Sequence, residues 1–596
     1  MTDSQREGES FGLDTDSFTR TNDRDRRVLE LYERVIEIEQ RLIPTGLHVF
    51  GRATTDRELT DLLRMVASFG RPELGIRSLP DLVAEGLGLP RYAELLEHCA
   101  DSEQGMTARE LVETIVGEAI SAFISERGGD GAEAAAGILT RRAGVPEDES
   151  IKVFALLGKL KSQLDTNSEL DGLTRALRGQ YVEPGPGGDL VQNPSLLPTG
   201  RNTHAVNPYV VPSPAAVMRA EPIARALLDR HREATGEYPK SVAMVLWGID
   251  NIKTEGEAVA QALWLMGVKP RRDSLNRATD VAIIPLEELG RPRIDVVMTV
   301  SGIFRDLFGA TMALLDLAVR RVAALDEPLE LNFVRRNVEH QMTDHGTSRD
   351  EALVRVFSNA AGNYGTNVNF MVLDSQWQDA AELGDLFVTR KCFAYGRDAR
   401  GRSFDGREAR KLMEAALARV EVTYQNIDTT EVGITDVDHY FEYLGGVTKA
   451  VEKQAGARPR VYLSDTLSPG VKVRTLEEAI KLEARTKTLN PKWYEGMLKH
   501  GFSGVAEIEH QVTNTFGWSA TANAVDGWVY DQVAETFVLD DAMLERLRAL
   551  NPHSARTMVG RLLEAAGRGF WSAEQSVLDK LRDVFAGLED ELEGVR

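Results

Sequence analysis

Ser241-Val242-Ala243-Met244-Val245-Leu246-Trp247 reads as a short β-branched run, followed at once by Gly248-Ile249-Asp250-Asn251. Two runs of the same kind, Val281–Leu286 and Asp295–Ser301, come after it, and helical stretches such as Glu255–Met266 and Phe304–Val322 alternate with them. This alternation predicts parallel strands joined by crossover helices, hence a doubly wound α/β domain over residues 181–345. Val354–Phe357 and Arg460–Ser464 continue the pattern and predict a second α/β unit over 346–472. Asp250 and Asn251 then follow the C-terminal end of a strand, where open α/β sheets bind their ligands.

N-terminal to this region the period changes. Leu31, Val35, Ile38 and Leu42 fall on one face of a helix over 28–42. Thr107-x-x-Glu110 reads as a capping box opening a long helix through Ile124, and 151–178 reads as a helical pair. Strand signals are almost absent, so 28–180 is expected to be an α-helical domain. Glu183-Pro184-Gly185-Pro186-Gly187-Gly188-Asp189 is a turn-rich breaker and marks its boundary. Residues 473–596 return to helix, ending in Ala573–Leu592, while the polar, charged residues 1–27 read as a disordered leader. The expected fold class is α/β multidomain, with mostly parallel sheets between helical N- and C-terminal regions.

Composition narrows the function. At 596 residues the chain exceeds a single core. Hydrophobic residues at 42% and charged residues at 27% match a globular protein. Seventy basic against 92 acidic residues give a net charge of −22, which argues against nucleic acid or an anionic membrane as the main partner. Two cysteines, Cys99 and Cys392, exclude a disulfide framework and fit a reducing cytoplasm. No apolar run reaches the roughly 18 residues of a membrane span, and the N-terminus carries no secretory h-region. Neither a GxxxxGK[ST] loop nor a GxGxxG after a strand is present, so the chain is expected neither to bind nor to hydrolyse ATP itself.

Several blocks stand out in order: Arg41-Leu42-Ile43-Pro44-Thr45-Gly46-Leu47-His48-Val49, Leu197-Pro198-Thr199-Gly200-Arg201-Asn202-Thr203-His204, and Trp247 through Glu257. Glu288–Asp295 and Ser301–Phe308 follow. Near the C-terminus come Leu489-Asn490-Pro491-Lys492-Trp493-Tyr494-Glu495-Gly496-Met497 and Thr513-Asn514-Thr515-Phe516-Gly517-Trp518-Ser519-Ala520-Thr521. Together they resemble the C-terminal half of the large H subunit of magnesium chelatase, a family that includes the cobaltochelatase large subunit. The resemblance implies a porphyrin-binding catalytic subunit that inserts Mg²⁺ into protoporphyrin IX for chlorophyll or bacteriochlorophyll. It also implies two AAA+ partner subunits that hydrolyse the ATP. A separate chain supplying the N-terminal half, or a truncation, would complete the picture. The alternatives are cobalt insertion into a corrinoid and non-catalytic tetrapyrrole binding.

Metal insertion requires an apolar slot, a proton acceptor and oxygen or imidazole groups as transient ligands. Magnesium sheds water reluctantly, so no permanent cage such as HExxH or an EF-hand is expected. Glu39 sits at the edge of the 28–42 apolar face, and the resemblance puts a functional glutamate there; spacing alone fits a solvated carboxylate equally well. His48 and His204 lie in turn-rich blocks, and Arg201 beside Asn202 has the fork for a porphyrin propionate. Asp250, Asn251, Lys253 and Glu257 have both the strand-end position and the resemblance as substrate-binding residues. Asp428-x-x-Glu431-x-x-x-x-Asp436-x-Asp438-His439 is the densest cluster: Glu431, Asp436 and Asp438 are the metal-facing set, and His439 joins Glu39 and His204 as a catalytic candidate. In an extended segment Asp436 and Asp438 face the same way; the other reading of the run is a polar loop capping a helix after Asp438. The aromatic residues Trp493, Tyr494, Phe516, Trp518 and Trp528 suit either a core or the edge of a tetrapyrrole.

Overall fold

The computed structural model describes residues 50–595 apart from 72–73, 99–102, 126–130, 166–167, 187–189, 192, 205–206, 398–405, 428, 430–431 and 467–470. These fall into two compact units, 50–204 and 207–595. Glu39 and His48 lie outside the described residues, as does Glu431.

The first unit is helical. Thr55 caps the helix Asp56–Ala67 in a reciprocal box with Glu58, and Ser78 caps Leu79–Gly86. Glu103–Ser125, Gly131–Ala143 and Glu147–Leu164 pack around fully buried Val112, Ile115, Ile120, Leu139 and Leu157. Thr107 lies inside the helix Glu103–Ser125, which begins a turn before the expected capping box. The turn-rich 183–189 segment is partly strand: β1 (Pro184–Pro186) pairs in parallel with β2 (Asn202–His204). This pairing keeps residues 181–204 with the helical unit, whereas the sequence put them in the α/β domain.

The second unit is built on one sheet. Its strands are β3 (Ser241–Leu246), β6 (Asp295–Val300), β7 (Val356–Ser358) and β8 (Phe393–Tyr395), then β9 (Arg407–Glu408), β10 (Val422–Ile427), β11 (Arg460–Asp465) and β12 (Lys472–Thr475). The order across the sheet is β12-β11-β10-β3-β6-β7-β8-β9, parallel from β11 to β7 and antiparallel at both edges. The two α/β units expected on either side of residue 345 are therefore halves of one sheet. Between β3 and β6, β4 (Val268–Arg272) and β5 (Ala278–Ile283) form a separate antiparallel ribbon. The Val281–Leu286 run belongs to that ribbon and to the helical turn after it, not to the parallel sheet.

Helices cover both faces. On one lie Pro214–Thr235, Glu257–Leu265, Gly309–Ala323 and Phe333–His345, packed on Val242, Met244, Val296 and Met298. On the other, Ala243, Val245 and Val297 join a core reaching through Phe387 and Phe441 to Phe516 and Leu588, so residues 473–595 are part of this unit. Near the sheet's N-terminal edge Arg355 is fully buried, its Nε donating to Asp295 Oδ1 at 2.9 Å.

Candidate active site at the carboxyl edge of the sheet

The chain leaves β3 toward β6 on one side and returns to β10 on the other, so the crevice between the C-terminal ends of β3 and β10 is the topological switch point. Trp247 follows β3 there. Its indole Nε1 donates to Gln425 Oε1 at 3.2 Å, and its ring packs against Tyr440 and Tyr443. Gln425 is buried and its Nε2 has no hydrogen-bond partner.

Two glycines bring the strand ends together. A Cβ on Gly248 would lie 2.6 Å from Ile303 Cγ2 and from the Phe304 nitrogen; one on Gly302 would lie 2.5 Å from the Tyr364 ring. Gly248 N and Phe304 N both donate to Ser301 Oγ, tying the turn after β3 to the helix after β6. Arg305 then staples the loop after β7: its Nη1 donates to the carbonyls of Asn359, Ala360 and Asn363. Asp306 accepts from Arg305 and from the Tyr364 hydroxyl. Burial opposes ionisation of Asp306, but the Tyr364 and Arg305 hydrogen bonds outweigh it and hold the carboxyl below its usual range.

The chemistry-bearing segment turns helical at Asp438, as the loop-and-helix reading expects, and is not extended through His439. Asp438–Tyr440 starts a helix that passes through a π-helical turn, Phe441–Gly445, into Gly446–Ala455. Such π-turns recur at functional sites. His439 and Glu442 are one turn apart, so His439 Nδ1 lies 3.1 Å from Glu442 Oε2 and 3.3 Å from Asp438 Oδ1. Glu442 is buried, and its Oε1 accepts from Thr366 N, Thr366 Oγ1 at 3.0 Å and Asn367 N at 2.9 Å. His439 remains 63% exposed. The Glu442 hydrogen bond, with the Asp438 charge adding to it, raises the imidazole above its ordinary value against the effect of burial. Asn369 Nδ2 donates to Asp438 Oδ2 at 2.6 Å. Behind this pair Lys391 is fully buried, donating to the Val300 carbonyl and Asn359 Oδ1 over the Tyr443 ring. Burial pushes its ammonium well below the usual lysine value.

The remaining expected residues separate. Asp436 and Asp438 do not face together: Asp436 is half-buried in a tight turn and accepts from Lys487, Gln511 and Gly433 N. Burial raises its carboxyl, against the pull of Lys487. Among the described residues no group of three or more His, Cys, Asp or Glu side chains is placed to hold a metal. Asn251 donates to the Trp247 carbonyl and Glu257 pairs with Arg219 at 2.8 Å; both are buried braces of the turn after β3. Asp250 and Lys253 are half-buried beside them. In the first unit, Arg201 donates to the Leu197 carbonyl, and Asn202 and His204 lie in β2. The aromatic block is scaffold. Trp493, Phe516 and Trp518 are buried, Trp518 Nε1 donates to the Ile434 carbonyl, and Asn514 Nδ2 donates to that of Thr435. Trp518 and Asn514 thereby brace the turn ahead of His439.

Sequence reasoning missed Glu442, Lys391 and Asn369. Glu442 had a signal, its three-residue helical offset from His439; the other two had none. Exposed apolar side chains also follow the strand ends: Ile249 after β3, Ile303 and Leu307 after β6, and Tyr364 and Phe370 after β7. An exposed apolar rim around polar groups marks a ligand site.

This is an open α/β protein with a hydrogen-bonded His439–Glu442 pair and exposed apolar residues at the carboxyl ends of its strands. A family model described as CobN/Magnesium Chelatase matches residues 5–578, and the chain belongs to that family. It is 43% identical to a chloroplastic magnesium-chelatase subunit ChlH of Oryza sativa subsp. indica, over 96% of this chain and 43% of that protein. It is 47% identical to the magnesium-chelatase H subunit of Cereibacter sphaeroides, over 76% of this chain and 37% of that one. The solved catalytic subunit of cobaltochelatase from Mycobacterium tuberculosis superposes with a TM-score of 0.84 at 33% identity, over 98% of this chain and 48% of that chain. The chain thus spans less than half the length of these relatives.

Proposed function

We propose that the chain is the C-terminal half of the porphyrin-binding subunit of an ATP-dependent chelatase that inserts Mg²⁺ into protoporphyrin IX. The observation that carries this reading is His439, held by buried Glu442 at the mouth of an apolar-rimmed crevice. Metal insertion displaces two pyrrole protons. With Nδ1–H donated to Glu442, the Nε2 of a neutral His439 is free to accept one of them, and Glu442 stabilises the imidazolium that forms. Asp438, oriented by Asn369, offers an oxygen beside it for the second proton or for a partly dehydrated Mg²⁺. Ile303, Tyr364 and Phe370 supply apolar surface for the flat macrocycle. Glu39 and His204 stay in the proposal as further proton acceptors, with Arg201 and Asn202 as propionate ligands. ATP hydrolysis on two AAA+ partner subunits and a cytoplasmic setting complete it. Among the described residues no helix is long and apolar enough to cross a membrane.

Magnesium is preferred to cobalt because the magnesium-chelatase relatives are more similar in sequence than the cobaltochelatase structure. Tryptophan quenching by a soluble deuteroporphyrin tests the site. Saturable quenching is expected, with Trp247→Phe removing a large share of it. No saturable quenching would remove the basis of the reading, and insertion of cobalt but not magnesium by the reconstituted complex would favour the cobaltochelatase alternative.

A further inference from the structure

The opposite edge of the second unit's sheet, where β3, β10 and β11 begin, carries an open cleft of about 710 Å³. Its walls include Lys240, Arg336, Arg419, Arg458 and Arg460 against two carboxylates, Glu237 and Glu421. In a chain of net charge −22 this is a local reversal of sign. Part of it has a structural cause. The helices Pro214–Thr235, Arg410–Leu417 and Gly446–Ala455 all end at this edge, and each C-terminus carries about −0.5 of a charge. That offsets roughly half of the cleft's excess of three cations. Arg419 pairs with Asp344 at 2.6 Å, Arg458 with Glu477 at 2.5 Å, and Lys240 lies 3.6 Å from both Glu237 and Glu421.

Arg336 and Arg460 differ. Among the described residues neither has a carboxylate within ion-pair distance. Arg336 stands over the Phe333 ring at 4.4 Å, and its buried Nε has no hydrogen-bond partner. One turn along the same helix face, His340 also lines the cleft with an unpartnered Nδ1. From the helix Pro214–Thr235 His231, 5% exposed, also lines the cleft, and its buried Nδ1 is the third unpartnered nitrogen and the second on an imidazole ring. Buried polar nitrogens without partners are uncommon and call for a water, ion or ligand.

We infer that this cleft binds a small, multiply charged phosphate anion, gripped by the Arg336 and Arg460 guanidiniums, with His231 and His340 in its lining. Guanidinium forks match phosphate oxygens in pairs, and the two cations without a carboxylate partner suit a dianion. The volume suits a small molecule, not a macromolecular surface. The six residues of β3, at about 3.3 Å each, set the cleft roughly 20 Å from the switch-point crevice. The inference does not depend on metal insertion there.

Calorimetric titration of the purified chain with inorganic pyrophosphate is the test. Saturable binding is expected, weakened at least tenfold by Arg336→Met and by Arg460→Gln, partly retained by Arg336→Lys, and unchanged by Arg556→Met on a helix elsewhere. Arg460 is exposed, so Arg460→Gln decides the matter even if Arg336→Met misfolds, which thermal melts without ligand would reveal. Absence of saturable heat at millimolar pyrophosphate, wild-type affinity in both variants, or equal binding of citrate would overturn the assignment.

Discussion

Glu442→Gln keeps the size of the side chain and removes its charge. The amide oxygen can still take the hydrogen bonds from Thr366 and Asn367 that Glu442 Oε1 accepts now. Its NH₂ then faces His439 Nδ1, where a carboxylate oxygen sits at 3.1 Å. Two donors cannot share that bond, so the imidazole adopts the other tautomer and Nε2 carries the proton. The nitrogen facing the crevice is no longer a base. Losing a charge-assisted hydrogen bond costs about 1.5–3 kcal/mol, or roughly 10- to 100-fold in rate. The sign for pH follows from the same contact. Glu442 raises His439, so with His439 as the acceptor the wild-type chelation rate is expected to climb with pH as the imidazolium deprotonates at that raised value. The variant's ascending limb should move to lower pH while its plateau falls. The assay is the pH–rate profile of magnesium insertion in a complex reconstituted with the AAA+ partners and ATP, beside deuteroporphyrin binding by tryptophan quenching. An unchanged profile with binding intact would refute the role given to Glu442.

Other expectations follow from single contacts. Phe370→Asp and Ile303→Asp should each weaken deuteroporphyrin binding about tenfold or more, since burying such a side chain is worth roughly 1.5–3 kcal/mol; equal affinity would remove the apolar rim from the site. Gly248→Ala forces a methyl to 2.6 Å from the Phe304 backbone nitrogen and should cost about 1–3 kcal/mol in urea unfolding, with no loss if the strand ends can part freely. Arg355→Met leaves Asp295 buried without its partner and should cost about 3–5 kcal/mol; a loss below about 1 kcal/mol would show the pair to be dispensable. The purified chain should hydrolyse no ATP, and magnesium-dependent activity surviving removal of AAA+ contaminants would contradict that.

The sequence made β3 and β6 legible because each is a short run of apolar, β-branched residues ending at a polar turn. It hid β10, whose Thr423, Gln425 and Asn426 are polar yet buried; hydrophobic pattern reads such a run as a loop. Val281 and its neighbours were recognisable as strand, but local pattern does not say which strand pairs with which, and they joined a ribbon. His439 stood out as a residue while its partner did not: the run read either as extended or as a loop capping a helix after Asp438, and only the helix carries the offset that joins His439 to Glu442. Asn369 and Lys391 reach the site from segments about 70 and 50 residues away in sequence, through tertiary packing that no spacing rule encodes.

The central claim is that the carboxyl-edge crevice is where the macrocycle loses its protons, with His439 as the acceptor. The most direct measurement is the magnesium-insertion rate of His439→Asn in the reconstituted complex, read beside its deuteroporphyrin affinity. Loss of a general base predicts a rate about 10²–10⁴-fold lower with affinity within a few-fold of wild type. A near-wild-type rate would contradict the account and pass the role to Glu39 or His204.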